Sequence, residues 1–249
     1  MTGETDANAD TADAADTADG AVSDAGRQWL ERWCDRLLHS VSSRLYNDPA
    51  DLAEDEDVPE EAVREELRDE VSVLGSGLDR IVIEPPAFVT PDGSAATDGD
   101  EGVPFFDDDT LDSGNIAVKL PRPTEPCSDG GIGQNMAEDR VWSAVSEGDL
   151  HRFDAATADT EPIDADLFAP VIDVARDHSW LVMERCTPLR EAVASEEKRE
   201  DAVASMEALF LEADLRPDLS PDNIGVREDG SHLILDYGMP NWAGEDGLW

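Results

Sequence analysis

Three oxygen-bearing side chains late in the sequence have the spacing that phosphate chemistry requires. Arg216-Pro217-Asp218-Leu219-Ser220-Pro221-Asp222-Asn223 runs into Ile224-Gly225-Val226, and Leu233-Ile234-Leu235-Asp236-Tyr237-Gly238 follows. Asn223 comes five residues after Asp218, and Asp236 eighteen after it, across a strand-turn-strand segment. Such a segment can aim a general base and two oxygen ligands at one magnesium–phosphate group. Lys119 is the second outstanding residue. It closes the apolar run Ile116-Ala117-Val118 in a chain whose 18 basic residues include only two lysines, Lys119 and Lys198. A compact ammonium on a flexible stem suits a phosphate contact, where the larger guanidinium would crowd the site.

Upstream of these residues, Gly75-Ser76-Gly77-Leu78-Asp79-Arg80-Ile81-Val82 places two glycines where backbone N–H groups could approach an anion. Taken in order, these segments resemble the protein-kinase-like superfamily over roughly residues 70–240. The resemblance implies that Gly75, Ser76 and Gly77 belong to a glycine-rich loop, with Arg80 standing where the third glycine would be. It implies that Lys119 holds the α- and β-phosphates and that Glu138, on the next helix, pairs with it. Asn135-x-x-Glu138 also has the spacing of a capping box, so a role at the helix N-terminus stands beside the catalytic one. Met183-Glu184-Arg185-Cys186 corresponds to the gatekeeper and the hinge, with Glu184 and Cys186 taking the adenine edge. By the same resemblance Asp218 is the catalytic base, and Asn223 and Asp236 hold Mg2+.

What the resemblance implies is an ATP- and magnesium-dependent phosphotransferase acting on a hydroxyl acceptor. The alternative is a nucleotide-binding pseudokinase or regulatory module that performs no turnover; a third reading is a salt-adapted interaction protein. The sequence departs from the family's pattern in several places. His-Arg-Asp is replaced by Arg216-Pro217-Asp218, the loop lysine by Ser220, and the Phe of Asp-Phe-Gly by Tyr237. Only residues 239–249 follow Gly238. The expectation is therefore a domain with no activation segment and no substrate-binding helices, to which a protein partner could contribute.

The bulk composition concerns solvent more than ligand. Acidic residues number 60 against 18 basic ones, for a net charge of −42. Acid excess with lysine nearly absent is expected of a cytoplasmic protein adapted to concentrated salt, where screening shortens the reach of self-repulsion. No basic stripe is present to hold a nucleic-acid backbone, and no apolar run is long enough to cross a membrane. Cys34, Cys127 and Cys186 are odd in number and widely spaced, as free thiols of a reducing compartment would be. No basic n-region precedes an apolar stretch at the start, so no secretory leader is expected.

The elements that must position the site follow from periodicity. Residues 1–23 are poor in apolar side chains and are expected to form a disordered acidic tail. Trp29, Leu30, Trp33, Leu37, Leu38, Val41 and Leu45 recur at helical spacing, which predicts an amphipathic helix of six turns docked on the domain. A short helix near Pro59 completes an N-terminal extension over 24–69. The minimal domain, 70–249, reads as strands at 71–74, 81–83 and 116–120, with 86–113 as a mobile insertion. A helix from about Asn135 to Glu147 comes next, then a hairpin across Arg176-Asp177-His178-Ser179, a helix over 189–214 and two closing strands. This is an α+β order: a small, mostly antiparallel sheet with one helix, and a reduced helical second lobe.

Overall fold

The computed structural model describes residues 20–45, 71–76, 80–91, 96, 101–121, 129–154, 159–211, 213, 215–238 and 241–242. The architecture is α+β. Four helices occur among the described residues: α1 (Asp24–Leu45), α2 (Asp129–Glu147), α3 (Leu189–Ala192) and α4 (Glu196–Leu209). The strands are β1 (Ser72–Ser76), β2 (Arg80–Glu84), β3 (Phe88–Val89), β4 (Val103–Pro104), β5 (Ile116–Pro121), β6 (His151–Asp154) and β7 (Asp159–Pro162). They continue with β8 (Val171–Val174), β9 (Leu181–Glu184), β10 (Thr187–Pro188), β11 (Leu215–Arg216), β12 (Ile224–Val226), β13 (His232–Ile234) and β14 (Asn241–Trp242).

The main sheet has the order β1-β2-β5-β9-β8, and every pairing in it is antiparallel. Side chains along a strand point alternately to opposite faces, and here each face has its own core. Ile81, Ile83, Val118, Leu120 and Val182 pack with Trp29, Leu30 and Trp33 of α1. Ala117, Leu181 and Met183 point the other way, to Val141 and Val145 of α2 and to Phe168 and Tyr237. The one-residue offset between Val118 and Lys119 is what turns the lysine toward this second face. Val82 is its register partner on β2.

The expected boundaries need three corrections. Ser23, placed by sequence in the tail, is the N-cap of α1: its Oγ accepts the Gly26 N–H at 3.1 Å. Val22 is buried and donates its N–H to Asp173 at 3.0 Å, so residues 20–23 belong to the domain. Residues 1–19 and the expected helix near Pro59 lie outside the described residues. Segment 86–113, expected to be a mobile insertion, supplies Val89, Phe105 and Phe106 to the core, and the Phe105 ring meets Trp29 edge-on at 5.6 Å. Its polar composition hides three apolar anchors. Lastly, the helix expected over 189–214 breaks at 193–195. Ser195 caps α4 by accepting the Lys198 N–H, and two glutamates follow in the first turn. That is a helix start rather than a helix interior.

Beyond the main sheet, β10, β12 and β13 form a three-stranded sheet. It carries the Asp218–Asp236 segment and is tied to the second core by Ala169 N–H donating to the Ile234 carbonyl at 2.9 Å. None of the described helices is long and apolar enough to cross a membrane.

Trp29 is the side chain that joins α1 to the sheet. Trp29→Ala should destabilise the protein by about 3–5 kcal/mol, the cost of removing a fully buried aromatic. Denaturant unfolding in concentrated KCl measures it, and unchanged stability would mean that α1 does not dock as described.

Candidate functional site

The centre of the site is Glu138, a carboxylate with no exposed surface. It lies in α2, which begins at Asp129, six residues earlier than periodicity suggests. Asn135 is thus inside the helix, and Glu138 does not cap it. The capping-box reading is therefore corrected. The glycines of Asp129-Gly130-Gly131-Ile132-Gly133 weaken helix propensity, which conceals the true start. Asn135 instead reaches sideways, donating to the His178 carbonyl at 2.9 Å.

Glu138 holds two cations. Lys119 Nζ lies 2.7 and 2.9 Å from its two carboxylate oxygens and donates also to the Leu235 carbonyl at 2.6 Å. Arg80 grips the same carboxylate at 2.9 and 3.0 Å and reaches on to Asp236 Oδ1 at 2.7 Å. The Tyr237 N–H donates to Glu138 as well, at 3.2 Å. Four charges, two of each sign, therefore close a buried network drawn from β2, β5, α2 and the turn after β13. Burial by itself would raise the Asp236 carboxyl, but Lys119 and Arg80 outweigh it and hold the group well below the usual carboxylate range. Burial lowers the Lys119 ammonium from its ordinary value, against the pull of Glu138. For Arg80, burial works against the charge, and Glu138 and Asp236 more than compensate, holding it above its ordinary value.

The turn carrying Asp236 is fixed from below. The Tyr237 hydroxyl donates to the Ala169 carbonyl at 2.6 Å, and its ring packs edge-on against Phe168 at 5.3 Å. The departure from phenylalanine thus gains a buried hydrogen bond. Gly238 has no room for a side chain: a Cβ there would come within 2.8 Å of the Gln134 carbonyl oxygen in α2. Glycine is required by this close approach.

In front of the network opens a cleft of about 250 Å³. Gly75, Lys119, Glu184, Cys186, Asn223 and Asp236 all line it, together with apolar Leu74, Val82, Ala117, Met183 and Leu235. A Cβ on Gly75 would meet nothing within 4 Å, so the start of the glycine pair faces open space. Ser76 ends β1, and Gly77 lies outside the described residues. Glu184 directs its carboxylate away to Arg227, at 3.1 Å to each oxygen. Burial, with Glu184 adjacent, pushes the Cys186 thiol up to about 12, so it lines the cleft as a neutral group. Asp218 is exposed and does not line the cleft. It is joined to it through Asn223, whose amide donates to the Asp218 carbonyl at 3.0 Å and faces its carboxylate at 3.4 Å. The Asn223 carbonyl accepts the Leu235 N–H at 2.7 Å, locking the turn to the strand before Asp236.

The expected Mg2+ ligands, Asn223 and Asp236, share the cleft, but as arranged they do not fit a dication. Asp236 Oδ1 already has a cationic partner, and Asn223 brings no charge. Among the described residues no three acidic, histidine or cysteine side chains converge as a cation site. Arg80 is the residue that motif reasoning passed over. Its signal was a large cation standing where the glycine pattern leads one to expect no side chain.

No family model matches the chain, and none of the curated proteins does. Among solved structures it is similar to WbdD in complex with a kinase inhibitor, at 16% identity and a TM-score of 0.36, over 51% of this chain and 29% of that one. The chain therefore spans less than a third of that protein's length.

Asp236 makes a testable contribution to acid stability. Its carboxyl is held below the unfolded value of about 3.9, so the stabilisation is complete above about pH 4 and is lost as the pH falls further. The stability difference between the protein and Asp236→Asn should shrink through that window in pH-dependent denaturant unfolding. A difference independent of pH would contradict the pairing.

Proposed function

We propose that the cleft binds a purine nucleoside phosphate in the manner of kinase-like proteins, and that the chain is a nucleotide-binding module of that type. The observation that carries this reading is Lys119, held at the end of an apolar cleft by a carboxylate with no exposed surface. A buried, pre-paired ammonium costs free energy to maintain and is not what packing alone would select. The cleft is the size and character of a small-ligand site: apolar walls with a few converging polar groups. Leu74, Val82, Ala117 and Met183 suit the faces of a flat base, and the strand-to-strand segment 184–186 would meet its edge. The sheet order β1-β2-β5-β9-β8, with α2 delivering Glu138 to β5, supports a kinase-like fold.

A second reading, phosphoryl transfer to a hydroxyl acceptor, is favoured by one observation: Asp218 stands exposed beside the cleft with its backbone held by Asn223. A carboxylate there could accept the proton of an approaching hydroxyl. The chain's own residues would then divide the work. Lys119 orients the phosphates, Glu138 orients Lys119, and Asn223 keeps Asp218 at the rim.

Both readings meet one experiment. Calorimetric titration with ATP in concentrated KCl, where the repulsion of a −42 chain is screened, should show binding that Lys119→Ala weakens by about tenfold or more, as loss of a charge-assisted contact does. Phosphate release followed in the same samples should vanish in Asp218→Ala while ATP still binds if transfer occurs. Equal release from both proteins rejects the transfer reading, and no ATP binding rejects both.

A further inference from the structure

Resting on the nucleotide reading above, the argument concerns the charge at Asp236. The side chain of Asp236 is 42% exposed and reaches the cleft, whereas Arg80 behind it is 4% exposed. The two meet at 2.7 Å, the distance of a charge-assisted hydrogen bond. Arg80 cannot swing freely, because its planar fork is held on three sides: by Glu138 at 2.9 and 3.0 Å, by the Asn135 carbonyl oxygen at 3.4 Å and by Asp236. Arginine is suited to such a post, since its charge is permanent and its donors are fixed in a plane.

We propose that Arg80 takes the place of a divalent cation at Asp236, so that the cleft binds its nucleotide without magnesium. Three observations support this. The network of Arg80, Lys119, Glu138 and Asp236 is already neutral, leaving no carboxylate in need of a counterion. A dication on Asp236 would sit beside two buried cations where water screens poorly, and like charges at that range repel strongly. Asn223, the other expected ligand, is a neutral amide already engaged with Asp218. One half-exposed carboxylate and one amide are a thin donor set for an ion that gives up its water reluctantly. It follows that the β- and γ-phosphates meet no bridging metal, and that recognition rests on the base, the ribose and the Lys119 contact.

The test is calorimetric titration of the full chain with ATP in concentrated KCl, in EDTA and in MgCl2, for the protein, Arg80→Gln and Arg80→Lys. The protein is expected to bind ATP equally in both buffers. Arg80→Gln should lose about tenfold or more in EDTA and recover in MgCl2, since the uncovered Asp236 then needs an ion. Arg80→Lys, which restores one charge, should be independent of metal again. Binding by the unaltered protein that requires MgCl2 overturns this inference and leaves the nucleotide reading intact, and it does so whether or not the variants fold. Metal-independent binding that persists in Arg80→Gln also overturns it, because the guanidinium is then not what replaces the ion. Absence of ATP binding in either buffer removes the nucleotide reading and this inference with it.

Discussion

A carboxylate with no solvent contact must be fully paired or it will not stay ionised, and the architecture around Glu138 follows from that constraint. Two cations, one backbone N–H and the helix that carries the carboxylate converge on a single group. The pairing fixes the face of β5 that turns toward α2, the depth of Arg80 at the start of β2 and the height of the turn after β13. Breaking such a network by removing one member costs about 3–5 kcal/mol, because the others remain buried without a partner. Four elements far apart in sequence are thereby held to one geometry. The cleft in front of them inherits its shape from that geometry.

The two-faced sheet provides the frame. One face is closed by α1 and by aromatic residues from 105–106, the other by α2 and the Phe168–Tyr237 pair. Closing both faces excludes water from the lower part of the network, which strengthens each ion pair in it and raises the penalty for any mismatch. Tyr237 joins the two effects: its ring is part of the apolar core, its hydroxyl is satisfied by Ala169 and its N–H belongs to the charge network. A surface as acidic as this one, with a net charge of −42, makes neutrality in the cleft the more consequential. Any uncompensated carboxylate there would add to a field already hostile to an anionic ligand.

The lysine and the strand that carries it were legible in the sequence. A lone lysine ending an apolar run has few structural roles, and 19 residues on is a glutamate within reach of it. The α1 helix was legible too, because its tryptophans repeat at helical spacing over six turns. What the pattern concealed has physical causes. The start of α2 is written in glycines, which carry no helical signal, and the packing of Asn135 and Glu138 overrides their propensity. The apolar anchors of 86–113 are single residues among prolines and acids, and only three-dimensional contact makes them core. Arg80 was visible as a departure from a glycine pattern, but its two partners lie 58 and 156 residues away. No local rule connects positions so distant, so its place beside Asp236 emerges only once the sheet is assembled.

The account depends on Arg80 and Asp236 being energetically coupled within the folded protein. The most direct measurement is a double-mutant cycle by denaturant unfolding, using Arg80→Met, Asp236→Asn and the two combined. The structure predicts a coupling toward the upper part of the range for contacting residues, about 1–3 kcal/mol, because the pair is hydrogen-bonded and shielded. Strictly additive effects would mean that the two side chains do not meet, and the charge network as described would be wrong.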